Sequence, residues 1–211
     1  MRIVGVGGEA ELPGDVRSTV VTVGTFDGVH CGHRDVVARL VAHARASGRA
    51  SLLVTFDPHP LEIINPTAAP GLLTTREEKL AVLARTALEW VAILPFTPVL
   101  AQLAAADFVD SILLSRFRMT ELLIGHDHGF GRGREGDITL LRTLGVSRGF
   151  DVDVVSPVLT SDGEPVSSTL VRRALAGGEL DRARSLLGRT YSVRGTVVAG
   201  DARGRQTSGT T

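Results

Sequence analysis

"TVVTVGTFDGVHCGHRDVVARLVAHARASG", residues 19–48, holds an apolar β-branched run, a cluster of glycine, aspartate and histidine, and a segment of helical period. The run 19–24 reads as a strand buried on both faces. In the segment that follows, Val36, Val37, Leu40, Val41 and Ala44 share one face while Arg39, His43 and Arg45 fall elsewhere, as in an amphipathic helix. The cluster at residues 24–33 therefore sits where a strand hands over to a helix. Gly28 and Gly32 let backbone approach a ligand closely, and a helix starting near Gly32 directs free N–H groups and its positive end at that space. An anion is favoured there. The helix end alone contributes only about 0.3 to 2 kcal/mol, so side chains must supply the rest of any phosphoryl chemistry. His30 and His33, three apart, can both face the anion and donate hydrogen bonds to it. The plain alternative is a capped helix with two solvent-facing histidines. A zinc site is a further alternative, with Cys31 between the histidines and no second cysteine in the chain.

Outward from this stretch, apolar segments recur at 50–56, 90–96, 119–125 and 150–156. Segments of helical period separate them. "TREEKLAVLARTALE" opens with Thr75 and has Glu78 three residues later, the pattern of a capping box. "VLAQLAAADFVDSILLSRF" and "ITLLRTLG" continue the alternation. Strands separated by helices predict an α/β, doubly wound, mostly parallel sheet with right-handed crossovers, whose ligands bind beyond the carboxyl ends of the strands. Two regions break the rhythm. Residues 57–75 hold four of the nine prolines and read as a long loop, of a type that is functional or disordered. Residues 189–211 turn polar and glycine-rich, with one expected strand at 191–199.

The 211 residues are 43% hydrophobic and 22% charged, with 23 basic and 23 acidic side chains, enough for one domain or one domain and a fragment. A net charge of zero offers no basic field for nucleic acid or an anionic membrane, so neither partner is expected. The longest apolar runs fall far short of the ~20 residues that span a bilayer, and the N-terminus lacks a basic segment leading into an apolar one. A soluble, cytoplasmic protein is expected. A single cysteine excludes an internal disulfide framework and fits a reducing compartment.

"GTFDGVHCGH" (24–33) resembles the G-x-F-D-x-x-H-x-G-H signature of the HxGH nucleotidyltransferases. Its "DGVH" version is similar to the adenylyltransferase half of bacterial bifunctional riboflavin kinase/FMN adenylyltransferases, the FAD synthetases. The likeness continues through "VTFDPHP" (54–60), "LLTTREEKL" (72–80), "LPFT" (94–97), "FGRGREGD" (130–137), "VSSTLVRRALAGG" (166–178) and "LLGRTYSVRGTVVAGDARGR" (186–205). The resemblance covers nearly the whole chain. It implies a Rossmann-like nucleotidyltransferase fold and transfer of AMP from ATP, with Mg²⁺, to FMN, giving FAD and pyrophosphate.

On residues, the resemblance implies His30, His33 and Arg172 as catalytic. It implies Gly24, Phe26, Asp27, Asp127, Ser168 and Thr169 as nucleotide-binding, and Phe56, Pro58, His59 and Pro60 as lining the flavin. No protein metal ligand is implied. "SSTLVRR" (167–173) also reads physically as a helix start where the hydroxyls of Ser168 and Thr169 cap N–H groups or meet phosphate, with Arg172 about one turn on. "GRGREG" (131–136) matches G-x-G-x-x-G in form, but it starts six residues after its strand ends, outside the tight strand-to-helix turn of a dinucleotide site. His128 stands where the family usually has an aromatic residue. "GDARGR" resembles the opening of the family's kinase half, but the threonine and asparagine that serve Mg-ATP there have no counterpart. Residues 1–188 are therefore expected to form the transferase and 189–211 a dispensable remnant without kinase activity. Two other readings stay open: a nucleotidyltransferase with another phosphate acceptor, and a non-catalytic flavin or nucleotide sensor.

Overall fold

In the computed structural model, residues 1–5, 11–125 and 129–196 are described. Six strands form one sheet: β1 (Arg2–Val4), β2 (Thr19–Val23), β3 (Ala50–Asp57), β4 (Trp90–Pro95), β5 (Met119–Gly125) and β6 (Asp151–Val155). Their spatial order is β1-β4-β3-β2-β5-β6. Every pairing is parallel; in the centre Val21 lies opposite Leu52 of β3 and Leu122 of β5. From β2 the chain builds outward through β3 and β4, then returns to lay β5 and β6 on the other side. The order reverses between β2 and β5, and their carboxyl ends open the crevice where α/β sheets bind ligands.

All five residues of β2 are buried, as a central strand covered on both faces requires. Alternate residues feed two cores. Val21, Val23, Leu52, Val54, Ala92, Leu94, Leu122 and Ile124 pack on one face, with Phe108, Leu113, Phe117 and Leu141 above them. Val20, Leu53, Val91, Ile93 and Leu123 point the other way, under Val37, Leu40, Val41 and Ala44. Those last four lie on α1 (Cys31–Ala46) and form the apolar stripe read from the sequence. A third, smaller core joins two short helices near the chain's end with Leu73, Val166 and Tyr191.

The proline-rich segment is more ordered than a bare loop. His59 and Glu62 form a capping box and Pro60 supplies the first residue of α2 (Pro60–Ile64), followed by a 3₁₀ turn at Pro66–Ala68. The Thr75–Glu78 capping box forms as expected and starts α3 (Arg76–Leu83). The segment after β4 is broken rather than one helix: α4 (Pro98–Ala101), then α5 (Ala105–Phe108), which widens into a π-helical stretch over Val109–Leu114. α6 (Ile138–Arg148) leads to β6, and α7 (Ser168–Ala176) and α8 (Leu180–Leu187) flank Gly177 and Gly178. Two details correct the sequence reading. The cap of α7 is Ser167, whose hydroxyl accepts from Leu170 N at 3.2 Å. The strand expected at 191–199 is absent over 191–196, and residues 197–199 lie outside the described residues. Instead Tyr191 packs into the small third core, and Arg194 N donates to Glu78 Oε1 at 2.9 Å, so the segment lies along existing structure rather than pairing at a sheet edge.

Candidate functional site

At the carboxyl end of β2 the chain makes a tight turn before α1. Phe26 (φ 49°), Gly28 (φ 76°) and Val29 (φ 38°) all take left-handed backbone conformations. For glycine this is cheap; for a β-branched valine it is a marked outlier that only dense surrounding contacts maintain. A Cβ on Gly28 would also come within 2.7 Å of Leu73 Cδ1. The contacts come from distant segments. The Asp27 carboxylate accepts from Leu73 N (3.0 Å), Thr74 N (3.1 Å) and Thr74 Oγ1 (3.3 Å) and pairs with the Arg172 guanidinium. Gly28 N donates to Thr74 Oγ1 at 3.1 Å, and Ser168 Oγ donates to the Asp27 carbonyl at 2.9 Å.

This turn delivers two imidazoles to the start of α1. His30 is the N-cap residue: its Nδ1 accepts from His33 N at 3.3 Å. The rings stack at 3.7 Å between centroids, and Phe26 lies against His33 at 4.9 Å. Burial pushes the His30 imidazolium down to about 4, with the Arg189 charge adding to that and Asp27 opposing it. His33 is held well below the ordinary range by burial, by His30 and by the Lys79 ammonium. Both rings are therefore neutral near pH 7. Because Nδ1 of His30 accepts, its proton must sit on Nε2, which leaves a fixed N–H donor facing away from the cap. His33 is half-buried as a residue, and its enclosed Nδ1 has no partner among the described residues.

Other elements complete a cleft of about 1570 Å³ over the crevice. Of the sequence candidates, Gly24, Phe26, Asp27, His30, His33, Phe56, His59, Pro60, Ser168, Thr169 and Arg172 all line it. Pro58, which follows a cis peptide bond, is not among its walls. Asp127 and His128 lie outside the described residues. Phe56 meets Phe96 edge-on at 5.4 Å, so the end of β3 presents an aromatic wall. His59 is fixed by its capping of α2, where Nδ1 accepts from Leu61 N at 3.2 Å, and burial lowers its pKa. The glycine-rich loop after β5 forms a 3₁₀ turn at Arg132–Arg134, not a helix start, in keeping with the exclusion of a dinucleotide fingerprint. Asp27 and Arg172, like Ser168, are engaged within the protein. Asp27 is buried and fully occupied by protein donors, and Arg172 Nε also donates to the Gly71 carbonyl at 2.8 Å.

Lys79 is a participant the sequence reading passed over. Its Nζ donates to the Thr25 carbonyl at 2.7 Å and to Thr55 Oγ1 at 3.3 Å, joining the ends of β2 and β3 beneath the cleft. Burial draws its pKa down, with Asp27 and Asp57 opposing. A signal existed: Lys79 precedes the buried Leu83 by four residues and so lies on the inner face of α3. Among the described residues no three His, Cys, Asp or Glu side chains gather as metal ligands, and no helix is long and apolar enough to cross a membrane.

Set beside known proteins, the FAD synthetase family model matches residues 13–170. The bifunctional riboflavin kinase/FMN adenylyltransferase of Escherichia coli K12 is 39% identical over 186 residues, 88% of this chain and 59% of that protein. The enzyme of the same name from Pseudomonas fluorescens is 40% identical over 190 residues, 90% of this chain and 60% of that protein. The chain thus spans about three-fifths of the length of these relatives. A Streptococcus pneumoniae crystal structure described as a macrolide-efflux protein superposes with a TM-score of 0.76 at 28% identity, over 90% of this chain and 61% of that one. A pantoate-beta-alanine ligase from Francisella tularensis, complexed with beta-gamma ATP and beta-alanine, shares the fold at a TM-score of 0.51 and 14% identity, over 81% of this chain and 73% of that one. With a family model matching most of its length, the chain belongs to the FAD synthetase family.

Proposed function

We propose that this chain transfers AMP from Mg-ATP to FMN. One phosphate oxygen of FMN forms the new bond to the α-phosphorus of ATP, the bond from that phosphorus to the bridging oxygen breaks, and pyrophosphate leaves with its electron pair. No covalent enzyme intermediate is needed; the protein's part is positioning and stabilisation of charge on the transferring phosphorus and the leaving group. Neutral His30 serves as a donor through Nε2–H, and His33 lies stacked against it. The opening N–H groups of α1 add their positive field, and Ser168, Thr169 and Arg172 meet the phosphates from α7. Phe56, His59 and Pro60 wall the flavin side, while Gly24, Phe26 and Asp127 belong to the nucleotide. Asp27 acts by shaping the turn. Magnesium arrives on ATP as part of the substrate.

The observation that carries this reading is the single cleft in which the two-histidine helix start, the α7 hydroxyls and the aromatic end of β3 converge. Its volume exceeds the roughly 300 to 1,000 Å³ usual for one small ligand, as a two-substrate transfer requires. Chromatography of the protein incubated with Mg-ATP and FMN tests the reading: FAD and pyrophosphate are expected, and riboflavin, which lacks the attacking phosphate, is expected to be inert as acceptor. Adenylylation of nicotinamide mononucleotide or pantetheine phosphate with FMN ignored would replace the flavin by another acceptor. Tight FMN or ATP binding without turnover would make the protein a sensor.

A further inference from the structure

The turn that carries His30 is held on one side by Asp27, Thr74 and Ser168, as described. Its other side is held by a residue beyond α8. Arg189 Nη2 donates to the Gly28 carbonyl at 2.8 Å and Nη1 to the Val29 carbonyl at 3.3 Å, across 160 residues of sequence. These are the carbonyls of the two residues that directly precede His30, and both residues have left-handed backbone.

The local chain is built to aim that guanidinium. α8 ends at Gly188, whose left-handed conformation (φ 64°) reverses the chain. Arg34 Nη1 on α1 donates to the Gly188 carbonyl at 3.2 Å. A Cβ at position 188 would lie 2.8 Å from Arg34 Nη1 and 2.9 Å from Cys31 Sγ, so the reversal packs directly on the first turn of α1. Arg189 then points back across the start of that helix. Beyond it, Tyr191 packs with α7 and α8, and Arg194 N takes the capping acid of α3. Residues 188–194 thus cross the first turns of α1 and α3 as a strap. Gly188, Arg189, Tyr191 and Arg194 lie beyond residue 170, where the match to the family model ends.

We propose that Arg189 is a positioning residue, which holds the strained turn so that His30 presents its Nε2–H to the reacting phosphates. The functional unit then extends through residue 194 and does not end at Gly188, in contrast to the dispensable tail expected from the sequence. Arginine suits this place because its planar fork reaches two neighbouring carbonyls at once, which a lysine ammonium does less well. The inference rests on the proposed adenylyl transfer, and one arm of its test does not.

Wild type, Arg189→Ala, Arg189→Lys and a chain ending at Gly188 are compared for FAD formation and melting temperature. Arg189→Ala and the shortened chain should lose on the order of 10- to 100-fold in kcat, as a small misplacement of a working group does. KM for FMN should stay within about twofold. Arg189→Lys should recover part of the loss, and millimolar guanidinium chloride should partly restore Arg189→Ala but not His33→Ala. The independent arm is ¹⁵N imidazole NMR of His30, where the accepting-Nδ1, protonated-Nε2 pattern of wild type should weaken in Arg189→Ala. If wild type makes no FAD, the proposed function fails while the NMR arm still decides the role of Arg189. A folded Arg189→Ala protein with wild-type kcat, or an unchanged His30 pattern, overturns the proposal. Should Arg189→Ala not fold, Arg189→Lys with wild-type kcat and an unchanged His30 pattern overturns it equally.

Discussion

The Arg172 guanidinium closes on the Asp27 carboxylate across 145 residues of chain, and the two side chains have unequal alternatives. Asp27 is 3% exposed and has backbone donors at Leu73 and Thr74 besides, whereas Arg172 is 22% exposed and borders the cleft. Removing Asp27 strands two buried N–H groups and a guanidinium; removing Arg172 leaves the carboxylate still hydrogen-bonded. Asp27→Ala should therefore cost about 3 kcal/mol or more in urea unfolding, and Arg172→Ala only about 1 to 2. Titration with Mg-ATP should show the reverse order among folded variants, with Arg172→Ala the weaker binder. Equal destabilisation by both variants would mean that the pair carries the turn without the additional donors mattering.

His30 has two duties that substitution can separate. Asparagine is a good N-cap residue, so Asn at position 30 should keep α1 capped and cost less than about 1 kcal/mol. It lacks the imidazole N–H, and loss of one preorganised donor to developing charge costs on the order of 100- to 1,000-fold in kcat. His30→Asn should thus melt near wild type and turn over slowly; His33→Ala should show a similar loss of rate with FMN binding little changed. Turnover within about threefold of wild type in either variant would remove that imidazole from the chemistry.

The sheet was legible because its signals are local. β2, β3, β4 and β5 are β-branched or leucine-rich runs whose alternate residues serve two cores, and Thr75 with Glu78 marks the start of α3. β1 escaped notice because three residues carry no period; it is placed by pairing with β4, where Arg2 lies 3.8 Å above the Trp90 ring. That two histidines stand at a strand-to-helix turn was legible, but the charge state of their rings was not. Neutral His30 follows from its burial, which depends on how the later segments fold over it. For the same reason the bonds from Arg172, Ser168 and Arg189 to the turn leave no mark at short range. Each joins segments more than 140 residues apart.

Acidity should act on the fold through the same histidine. In the folded protein His30 takes its proton only near pH 4, against 6.5 for an unburied imidazole. Between those values the unfolded chain binds more protons than the folded one, so stability is full above pH 6.5 and falls as the pH drops toward 4. The displacement corresponds to about 3 kcal/mol for His30. His33 shifts in the same direction. Urea midpoints measured at pH 7.5, 6 and 5 should decline, and His30→Asn should flatten the decline. Its persistence unchanged in that variant would assign the acid sensitivity to other groups.

The glycines of "GRGREG" should differ sharply in their tolerance of a methyl group, because only some of them meet backbone. Gly131 has φ 78°, and a Cβ there would lie 2.8 Å from both Cα and N of Ala105 at the start of α5. The loop is held at that spot by bonds in both directions: Arg132 N donates to the Leu103 carbonyl at 3.0 Å, and Ala105 N donates to Glu135 Oε1 at 2.9 Å. Rigid backbone on both sides leaves no side chain to swing aside, so the overpacking adds to the conformational strain. Gly133 has φ 63° but open space around the added carbon, so only the strain remains. Gly131→Ala should cost about 2 to 4 kcal/mol and Gly133→Ala about 1. Gly131 and Gly133 both line the cleft, but only the methyl at Gly131 must push backbone aside, so Gly131→Ala should raise KM for ATP or FMN while Gly133→Ala leaves both close to wild type. Urea unfolding and steady-state kinetics of the two variants read both effects. A Gly131→Ala protein as stable as Gly133→Ala would show that α5 moves freely with the loop, and the wall of the cleft would then be compliant on that side.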